Sequence, residues 1–379
     1  MKIQFSLFDL LLLIGILQGL IIGILLLYSK KNKRSNKFLA LSLFSFCFLS
    51  TKPLLHTLHL WDTNMFRFFP NGLELAISPL IYFYVKSHVN PDFNFKRKDW
   101  LHFIPFFLTQ TYAFFVYFSV LKTNDFGEKD AIAKNLRFDN IKQLDEYILL
   151  IALVLYLFYG YKELANYKKW LDNTTSDSTF PDFGWLKNIF HLSLVIGAFL
   201  LINNLLDIIF DLKNITVLHY DLLILFITFV IYYLGLKGYL QADCTFSKNE
   251  IKPQNNSSSI RPDTKLSETL EQLEKVMNED KVFLDPKLSI YQLSNKLGIS
   301  QKNLSVAINQ HFKTNFRDFI NTYRLKEVKS KLNAIEYNHM SILGIALECG
   351  FNSEASFYRI FKKNTGISPK EFIQRENTK

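Results

Sequence analysis

The sequence predicts an all-α protein: an N-terminal seven-helix transmembrane bundle followed by a smaller soluble domain of two helix-turn-helix units. Seven long apolar stretches come first, a polar segment follows them, and the last quarter of the chain contains an internal repeat. The 379 residues carry a net charge of +10 although 49% of them are hydrophobic. A strongly hydrophobic part and a separate basic part of the chain would together give that combination of charge and hydrophobicity.

Composition excludes three other classes of protein. The hydrophobic fraction is too high for a disordered chain, and three cysteines cannot build a secreted disulfide scaffold. The chain also has only 14 Gly and 10 Pro, too few for a collagen-like or Gly/Pro-rich fibre.

The first apolar stretch, Leu10–Tyr28, holds 19 residues without a charge, which is the length that crosses a bilayer core as a helix. A signal peptide is not favoured, because Lys2 is the only basic residue before it and no small-residue cleavage site follows. Five cations lie directly behind it, between Lys30 and Lys37. They predict that this end is cytoplasmic and that the N-terminus is outside.

Six further apolar stretches complete the predicted bundle. They are Phe38–Trp61, Phe68–Val85, Trp100–Leu121, Tyr147–Tyr161, Asn188–Leu206 and Leu222–Leu236. The alternative is that some are buried helices of a large soluble protein, but such helices normally keep a polar face, and Leu10–Tyr28 and Leu222–Leu236 are apolar all round. The charges of the loops alternate as a seven-span topology requires, and an odd number of spans places the C-terminal part in the cytoplasm.

The division into domains follows the composition. Residues 1–243 form the predicted transmembrane sensor or anchor domain, residues 244–265 a polar flexible linker, and residues 266–379 the soluble domain. Leu266, Leu270, Leu273 and Met277 then recur at helical spacing. Two interpretations stay open for this segment: the lead-in helix of the soluble domain, or a short dimerising helix.

The soluble part is strongly basic. Residues 281–379 hold 16 Lys and Arg against 8 Asp and Glu, so +8 of the total charge of +10 lies in about a quarter of the length. Such a balance suits a phosphate backbone, although domains next to anionic lipid are often basic as well.

An internal repeat is the most specific pattern in the chain. At a shift of 52 residues, apolar positions, a turn glycine and a cap residue match in kind; they are Ser289, Ile290, Leu293, Leu297, Gly298 and Ile299 against Ser341, Ile342, Ile345, Cys349, Gly350 and Phe351. After one inserted residue, Leu304 matches Phe357 and Ile308 matches Phe361. This part of the chain therefore contains two copies of one structural unit.

Each copy has the order of elements of a helix-turn-helix: an apolar-periodic helix, a glycine, a polar capping residue and a second helix. Gly298 and Gly350 are the predicted turn residues, because glycine readily adopts the positive φ that ends a helix sharply. Ser300 in the first copy, and Asn352 or Ser353 in the second, are predicted to cap the helix that follows. Asn315 and Ser368 are predicted to start further helices, each with an acidic residue at the third position.

The residues from Ile342 to Phe372 closely resemble the C-terminal signature of AraC/XylS-type bacterial transcription regulators. The shared features include the Gly-Phe pair at Gly350, the run from Phe357 to Lys363, and Gly366 followed by Pro369. The segment from Phe283 to Leu332 is similar to the same family's first helix-turn-helix and connecting helix. The resemblance covers roughly 100 residues, and it implies homeodomain-like DNA-binding units.

The N-terminal part is similar to membrane-embedded AraC-type regulators, in the sequences HFIPF at His102–Phe106 and SPLIYFYVKS at Ser78–Ser87. That similarity implies a multi-pass protein of the bacterial inner membrane, with the N-terminus outside and the C-terminal domain in the cytoplasm.

Base-reading side chains are expected on the outer face of each second helix, since the major groove admits one α-helix. With Leu304, Ile308, Phe357 and Phe361 in the core, the candidates are Gln301, Lys302, Ser305, Val306 and Asn309 in the first unit and Glu354, Ala355, Tyr358, Arg359, Lys362 and Lys363 in the second. The alternative for each is an ordinary solvated face.

Arg359 is the strongest candidate for a base contact, because a guanidinium can bond guanine O6 and N7 together. Lys362 and Lys363 are expected at phosphates. A predicted helix from Phe316 to Leu332, about 26 Å long at 1.5 Å per residue, would act as a rigid spacer between the two units.

Polar residues inside the apolar stretches suggest a signal site, because ionisable groups at bilayer depth are costly. His191, Asn203 and Asp207 are the predicted lining of such a pocket, and Glu74 and Asp207 are both expected near span ends. Structural hydrogen bonding between helices is the competing interpretation.

No enzyme motif is found, and no catalytic residue, metal site or cofactor is predicted. HExxH, Walker A, GxSxG and zinc-spaced cysteine pairs are all absent from the sequence. Cys47, Cys244 and Cys349 are interpreted as buried or free thiols in a reducing cytoplasm.

The sequence therefore predicts a membrane-anchored, sequence-specific DNA-binding transcription regulator that couples a membrane or periplasmic signal to promoter binding. Its expected partners are double-stranded promoter DNA and the lipid bilayer. A small-molecule or protein signal, a second copy of the chain and RNA polymerase are further candidates. The alternatives are a membrane receptor or transporter whose basic domain binds a protein, and a set of spans that serves only as an anchor.

Overall fold

The computed structural model describes residues 5–29, 33–90, 93–176, 184–210, 218–241, 264–337 and 339–376. Within these ranges the regular elements are helices, and the one strand-like feature is an isolated antiparallel bridge between Thr175 and Ser289. The predicted all-α class is confirmed. The chain forms two compact units: residues 1–165 with 183–245, and residues 166–182 with 246–379. The predicted linker lies almost wholly outside the described residues, and the domain boundaries of 1–243, 244–265 and 266–379 stay a prediction.

The first unit is a bundle of long helices. Its helices are α1 (Leu7–Tyr28), α2 (Lys33–Leu49), α3 (Thr51–Thr57), α4 (Glu74–Val89), α5 (Ile104–Val120), α6 (Phe126–Asn135), α7 (Phe138–Thr174), α8 (Gly184–Phe210) and α9 (Leu218–Gln241). Short 3₁₀ turns at Leu60–Asp62 and Arg97–Phe103 complete it. The last nine residues of α7, 166–174, belong to the second unit.

Six helical segments of the described chain are long and apolar enough to cross a membrane, whereas the sequence predicts seven spans. The stretch outside this set is the third, Phe68–Val85, where the helix is α4, only 16 residues or about 24 Å long. Nearly all of α4 is buried among its neighbours. A helix surrounded by protein need not match the bilayer thickness, so the predicted number of seven spans stays a prediction.

The outer surface of the bundle is apolar. Leu10, Ile14 and Ile21 of α1, and Val154 and Phe158 of α7, are each about half exposed or more. A soluble monomer rarely exposes apolar area on this scale, and a lipid environment removes the penalty.

Close helix packing in this unit depends on glycines along one face of α1. A Cβ added at Gly15, Gly19 or Gly23 would lie less than 3.0 Å from side-chain atoms of Thr228, Cys47 or Phe44, respectively. Small residues four apart let helix backbones approach closely, which is how helices associate in membranes.

The second unit contains the repeat. Its helices, besides the end of α7, are α10 (Thr264–Asn278), α11 (Ile290–Lys296), α12 (Gln301–His311), α13 (Phe316–Leu332), α14 (Ile342–Glu348), α15 (Glu354–Thr365) and α16 (Pro369–Glu376). The two helix-turn-helix motifs are α11–α12 and α14–α15. The predicted spacer helix is α13, with the predicted bounds.

Two hydrophobic cores fill this unit, and α13 contributes to both. Phe316, Phe319 and Ile320 pack in the first core with Leu304 and other residues of α10 to α12. Leu325 and Val328, further along the same helix, pack in the second core with residues of α14 to α16. The spacer is therefore held by apolar packing at each end, and the two motifs share one rigid element.

α10 is the lead-in helix of this domain. Leu273 and Met277 are fully buried in the first core. Their burial supports the lead-in interpretation over the dimerising one.

The turns of the two motifs follow the predicted chemistry. Gly298 and Gly350 have φ values of +64° and +89°, as predicted. Ser300 caps α12 by accepting a hydrogen bond from the backbone N–H of Asn303. Ser353 caps α15, and it is one of the two cap residues that the sequence predicts as alternatives. The side chain of Asn352, the other alternative, donates to the carbonyl of Pro286 over 3.0 Å.

The surroundings of the two glycines differ. A Cβ added at Gly298 would meet nothing within 4 Å, whereas one at Gly350 would lie 2.6 Å from the carbonyl oxygen of Phe283 and 2.9 Å from Nε of Arg324. Gly298→Ala then costs only backbone strain, but Gly350→Ala adds a steric clash in the core.

We expect Gly350→Ala to lower the free energy of unfolding clearly more than Gly298→Ala, which should cost about 1–2 kcal/mol. Denaturant unfolding of the full chain in detergent, followed by the fluorescence of a probe on the C-terminal domain, measures both. Equal losses for the two variants would contradict the environment assigned to Gly350.

Candidate nucleic-acid interface and membrane cavity

The outer face of α12 carries the first group of predicted DNA-contacting residues. Lys302, Val306 and Asn309 are exposed, and Gln301 and Ser305 are partly exposed. The opposite face buries Leu304 and Ile308 completely. Asn309 donates a hydrogen bond from Nδ2 to Oγ of Ser305 over 3.3 Å, which orders part of this polar face.

The outer face of α15 carries the second group. Glu354, Ala355, Arg359, Lys362 and Lys363 are exposed. Tyr358 is only partly exposed, because it packs on the second core beside Phe357. Phe357 and Phe361 are fully buried, as predicted. Arg359 therefore projects from a helix whose other side is fixed in the core.

Polar contacts add to the packing that fixes α15 and α14 to the spacer. Nζ of Lys363 lies 3.4 Å from Oδ2 of Asp318 near the start of α13. Nζ of Lys331, near the end of α13, lies 3.0 Å from Oε2 of Glu348 on α14. Exposed ion pairs contribute little to stability, so the packing does most of the positioning.

A buried arginine lies at the centre of the second unit. Arg324 on α13 is 1% exposed. Its guanidinium donates from Nε to the carbonyl of Phe283 and from Nη2 to the carbonyl of Asp285, both over 2.7 Å. Arg324 was not among the residues predicted from the sequence, and the available signal was an arginine at an apolar position of the α13 pattern.

Residues from the end of α7 contact the same helix. Asp172 forms an ion pair with Arg317 over 3.1 Å, and Arg317 also donates to the carbonyl of Thr175. Nη2 of Arg324 lies 3.0 Å from Oγ of Ser176. The backbone N–H of Ser176 donates to the carbonyl of Leu288. These residues lie between the predicted fifth and sixth apolar stretches, Tyr147–Tyr161 and Asn188–Leu206, and no local sequence pattern predicted their contacts.

Both cysteines in the described part of the chain are buried free thiols. Cys349 is fully buried in the second core, and burial raises the pKa of its thiol to about 11. It therefore stays protonated and unreactive at neutral pH. Cys47 is also buried, whereas Cys244 lies outside the described residues.

The three residues predicted to line a signal pocket do not come together. Asn203 is buried and donates from Nδ2 to the carbonyl of His219, and Asp207 accepts hydrogen bonds from His219 and Tyr220. His191, however, is exposed on α8. Twelve residues separate it from Asn203, which turns a helix by about 120° beyond whole turns, so the two face different directions.

A cavity of about 580 Å³ lies in the first unit, beside Asn203 but not beside His191 or Asp207. Charged residues line it together with many apolar ones. The charged residues are Lys52, Glu74, Lys142, Asp145 and Glu146. Lys52 forms an ion pair with Glu74, and Lys142 lies 3.7 Å from Asp145.

Several polar atoms at this cavity have no hydrogen-bond partner in the described chain. They include Oδ1 of the buried Asn71 and Oδ1 of Asp145. Unsatisfied buried polar atoms are costly unless a water or a ligand binds them. The cavity therefore has the features of a small-molecule site: apolar walls with a few convergent polar groups. Lys52 and Glu74 interrupt apolar stretches of the sequence, and that interruption was the available signal.

The two exposed helix faces, each backed by a core and preceded by a positive-φ glycine, define a helix-turn-helix DNA-binding protein. A family profile described as "Helix-turn-helix domain" matches residues 293–375. A probable transcription factor, PqrA of Proteus vulgaris, is 36% identical over 90 residues, which are 24% of this chain and 70% of that protein. The chain belongs to the helix-turn-helix family of transcriptional regulators, and the predicted AraC-type resemblance is confirmed for its C-terminal domain.

Other relatives match the same region. Uncharacterized HTH-type transcriptional regulators of Staphylococcus aureus, from strains MSSA476 and N315 among others, are 33% identical over 117 residues, or 31% of this chain. This chain spans only 14% of their length. A structure of a protein of unknown function from Listeria innocua shares 25% identity, covering 28% of this chain and 94% of that one at a TM-score of 0.25.

Proposed function

We propose that this protein is a membrane-anchored, sequence-specific transcription regulator of the AraC type. In this proposal the first unit spans the bacterial inner membrane, the second unit binds promoter DNA in the cytoplasm, and a signal at the membrane changes DNA binding. A second copy of the chain and RNA polymerase are proposed as further partners at the promoter.

The observation that carries the proposal is the pair of outward faces on α12 and α15. Arg359 and Lys302 are exposed, whereas the apolar residues of the same helices are fully buried. The net charge of +8 over residues 281–379 favours a phosphate backbone as the partner. The alternative, a receptor or transporter whose basic domain binds a protein, predicts no discrimination between DNA sequences.

The membrane part of the proposal is supported by length and surface. Six helices are long and apolar enough to span, and their outer faces are apolar. The cations that follow α1, including Arg34 and Lys37, favour a cytoplasmic position for that end. An odd number of spans requires α4 to cross as well.

Arg359→Ala should weaken binding to the specific promoter by ~1–3 kcal/mol, because a bidentate contact to one base pair is lost. We expect a much smaller loss for nonspecific DNA. The full-length protein in nanodiscs, titrated with the promoter mapped by genome-wide recovery of bound DNA, gives both affinities, and the wild-type affinity should fall steeply with salt.

The matched control is Arg375→Ala, which removes the same exposed side chain from α16. Lys362→Ala should weaken specific and nonspecific binding alike, since a phosphate contact does not read sequence. A wild-type protein that binds no DNA, or binds it without salt dependence, would favour the protein-binding alternative.

The topology predicts that the loop after α5 lies outside and the loop after α4 lies in the cytoplasm. Alkaline phosphatase fused after Thr123 should be active, and fusions after Asn90 or after Lys379 should be inactive. If α4 does not cross, the pattern reverses: the fusions after Asn90 and after Lys379 should be active and the fusion after Thr123 inactive, and that result would show that the seven-span topology is wrong.

We propose the polar cavity, rather than a site at His191, as the signal site. Substitutions at the cavity should change basal promoter output, because they alter the same helix packing that a ligand would alter. Glu74→Gln and Asn71→Ala should each shift the output of a reporter gene, whereas His191→Ala should not. If His191→Ala shifts the reporter output and the two cavity variants do not, at equal protein levels, the signal site lies at His191 instead.

A further inference from the structure

The end of α7 and the two residues after it form a docking segment on the DNA-binding domain. The docking segment is residues 166–176, and it belongs to the same compact unit as residues 246–379. α7 is one continuous helix from Phe138 to Thr174, so the segment is the direct extension of the predicted fifth span. The helix-turn-helix domain thus binds a part of this chain that lies far from it in sequence.

Backbone pairing fixes the position of the docking segment. Thr175 pairs with Ser289 in an antiparallel bridge, and the N–H and the hydroxyl of Ser176 both donate to the carbonyl of Leu288. Thr175 and Ser176 are 1% and 2% exposed. A surface loop in chance contact would remain largely solvated, and this one is buried at the entrance to the first helix-turn-helix motif.

Two arginines of α13 hold the docking segment from the other side. Arg324 is buried, and its guanidinium bonds both the carbonyl and the hydroxyl of Ser176. Arg317 bonds the carbonyl of Thr175 and pairs with the carboxylate of Asp172. Asp172 and Arg317 are 27% and 17% exposed, so this ion pair is shielded from solvent more than a typical surface pair.

We propose that the docking segment is an autoinhibitory clamp: its binding to α13 and to the Leu288–Ser289 backbone weakens promoter binding, and its release strengthens it. This inference rests on the proposed DNA-binding function. The clamp holds α13, the spacer helix between the two motifs, and thereby acts on α12 and α15, the two helices proposed to read DNA.

Charge gives the direction of the effect. The carboxylate of Asp172 neutralises Arg317, one cation of a domain that binds a polyanion. Arg317 neighbours Asp318, whose carboxylate faces Lys363, a proposed phosphate contact. Docking therefore lowers the positive potential beside α15. A lower positive potential opposes binding to the DNA polyanion.

Two engineered cysteines test the docking itself. The paired residues of an antiparallel bridge have Cα atoms about 4.5–5.5 Å apart, within the range that a disulfide spans. Thr175→Cys with Ser289→Cys in the full-length protein, oxidised in native membranes, should form an intrachain cross-link. A protease site inserted at residues 247–258 makes the cross-link visible, because the cut C-terminal part stays with the membrane until a reductant releases it.

The single variants Thr175→Cys and Ser289→Cys control for pairing with the native cysteines and for loss of the Ser289 cap. If the double variant gives no more cross-link than the single variants, the docking is overturned. This measurement involves no DNA, so its outcome is independent of the proposed function.

DNA affinity tests the inhibition. In nanodiscs, the oxidised double variant should bind the promoter about tenfold more weakly than the same protein after reduction, because the competent state is withheld. Equal affinities, or tighter binding when oxidised, would overturn autoinhibition even if the cross-link forms. A reduced protein that binds no DNA would instead contradict the proposed function.

A charge-matched pair of variants gives an independent measurement. Asp172→Asn removes the carboxylate that faces Arg317, and Glu163→Gln removes one negative charge from the same helix outside the docking segment. Asp172→Asn should strengthen promoter binding roughly two- to fivefold, the equivalent of one partly shielded ion pair, and should lower the cross-link yield. Glu163→Gln should do neither, and equal effects of the two variants would count against the clamp.

Discussion

The buried guanidinium of Arg324 is the interaction on which the arrangement of the DNA-binding domain depends. A charge removed from water is costly unless hydrogen bonds satisfy it, and here backbone carbonyls of Phe283 and Asp285 accept from it. These bonds tie the turn before the first motif to the spacer helix. Gly350, in the turn of the second motif, lies against the same group, with room for no side chain. One arginine thus links the spacer and both motifs.

The spacer helix α13 also packs in both hydrophobic cores. Phe319 and Ile320 anchor its first half, and Leu325 and Val328 anchor its second half. A change at either motif therefore acts on a helix that the other motif also holds. Independent domains on a flexible connection would accept many half-site spacings, whereas two motifs on one packed helix accept few. In the proposed function this rigidity limits the half-site spacings that the pair can read, and any contact that restrains the spacer acts on α12 and α15 together.

The sequence predicted what short-range chemistry dictates. The repeat located Gly298 and Gly350, and the 3.6-residue period separated buried Phe357 from exposed Arg359, because local periodicity is set by the helix itself. The contacts of Arg324 with Ser176 and of Asp172 with Arg317 could not be predicted in this way, because they join segments more than a hundred residues apart. Arg324 itself occupies a position where the helical pattern has an apolar residue. His191 lies on a different face of α8 from Asn203, because a spacing of twelve is not a whole number of turns, and its role in a pocket stays a prediction. The polar cavity was not predicted, because no local pattern links Lys52 with Glu74, its ion-pair partner 22 residues further along the chain.

Two routes connect the predicted spans with the DNA-binding domain, and they differ in what they can transmit: the chain between α9 and α10, and the docked end of α7. Residues 244–265 are the predicted linker, and a linker of that kind would set only the effective concentration of the domain near the membrane. α7 is about 56 Å long, whereas a bilayer core needs about 30 Å, so the helix has length to spare beyond the membrane. A helix transmits rotation and translation along its axis, and the docking segment lies at its end. If the proposed function holds, a signal that shifts the fifth span would reach Arg317 and Arg324 along α7, a route that a tether alone does not provide.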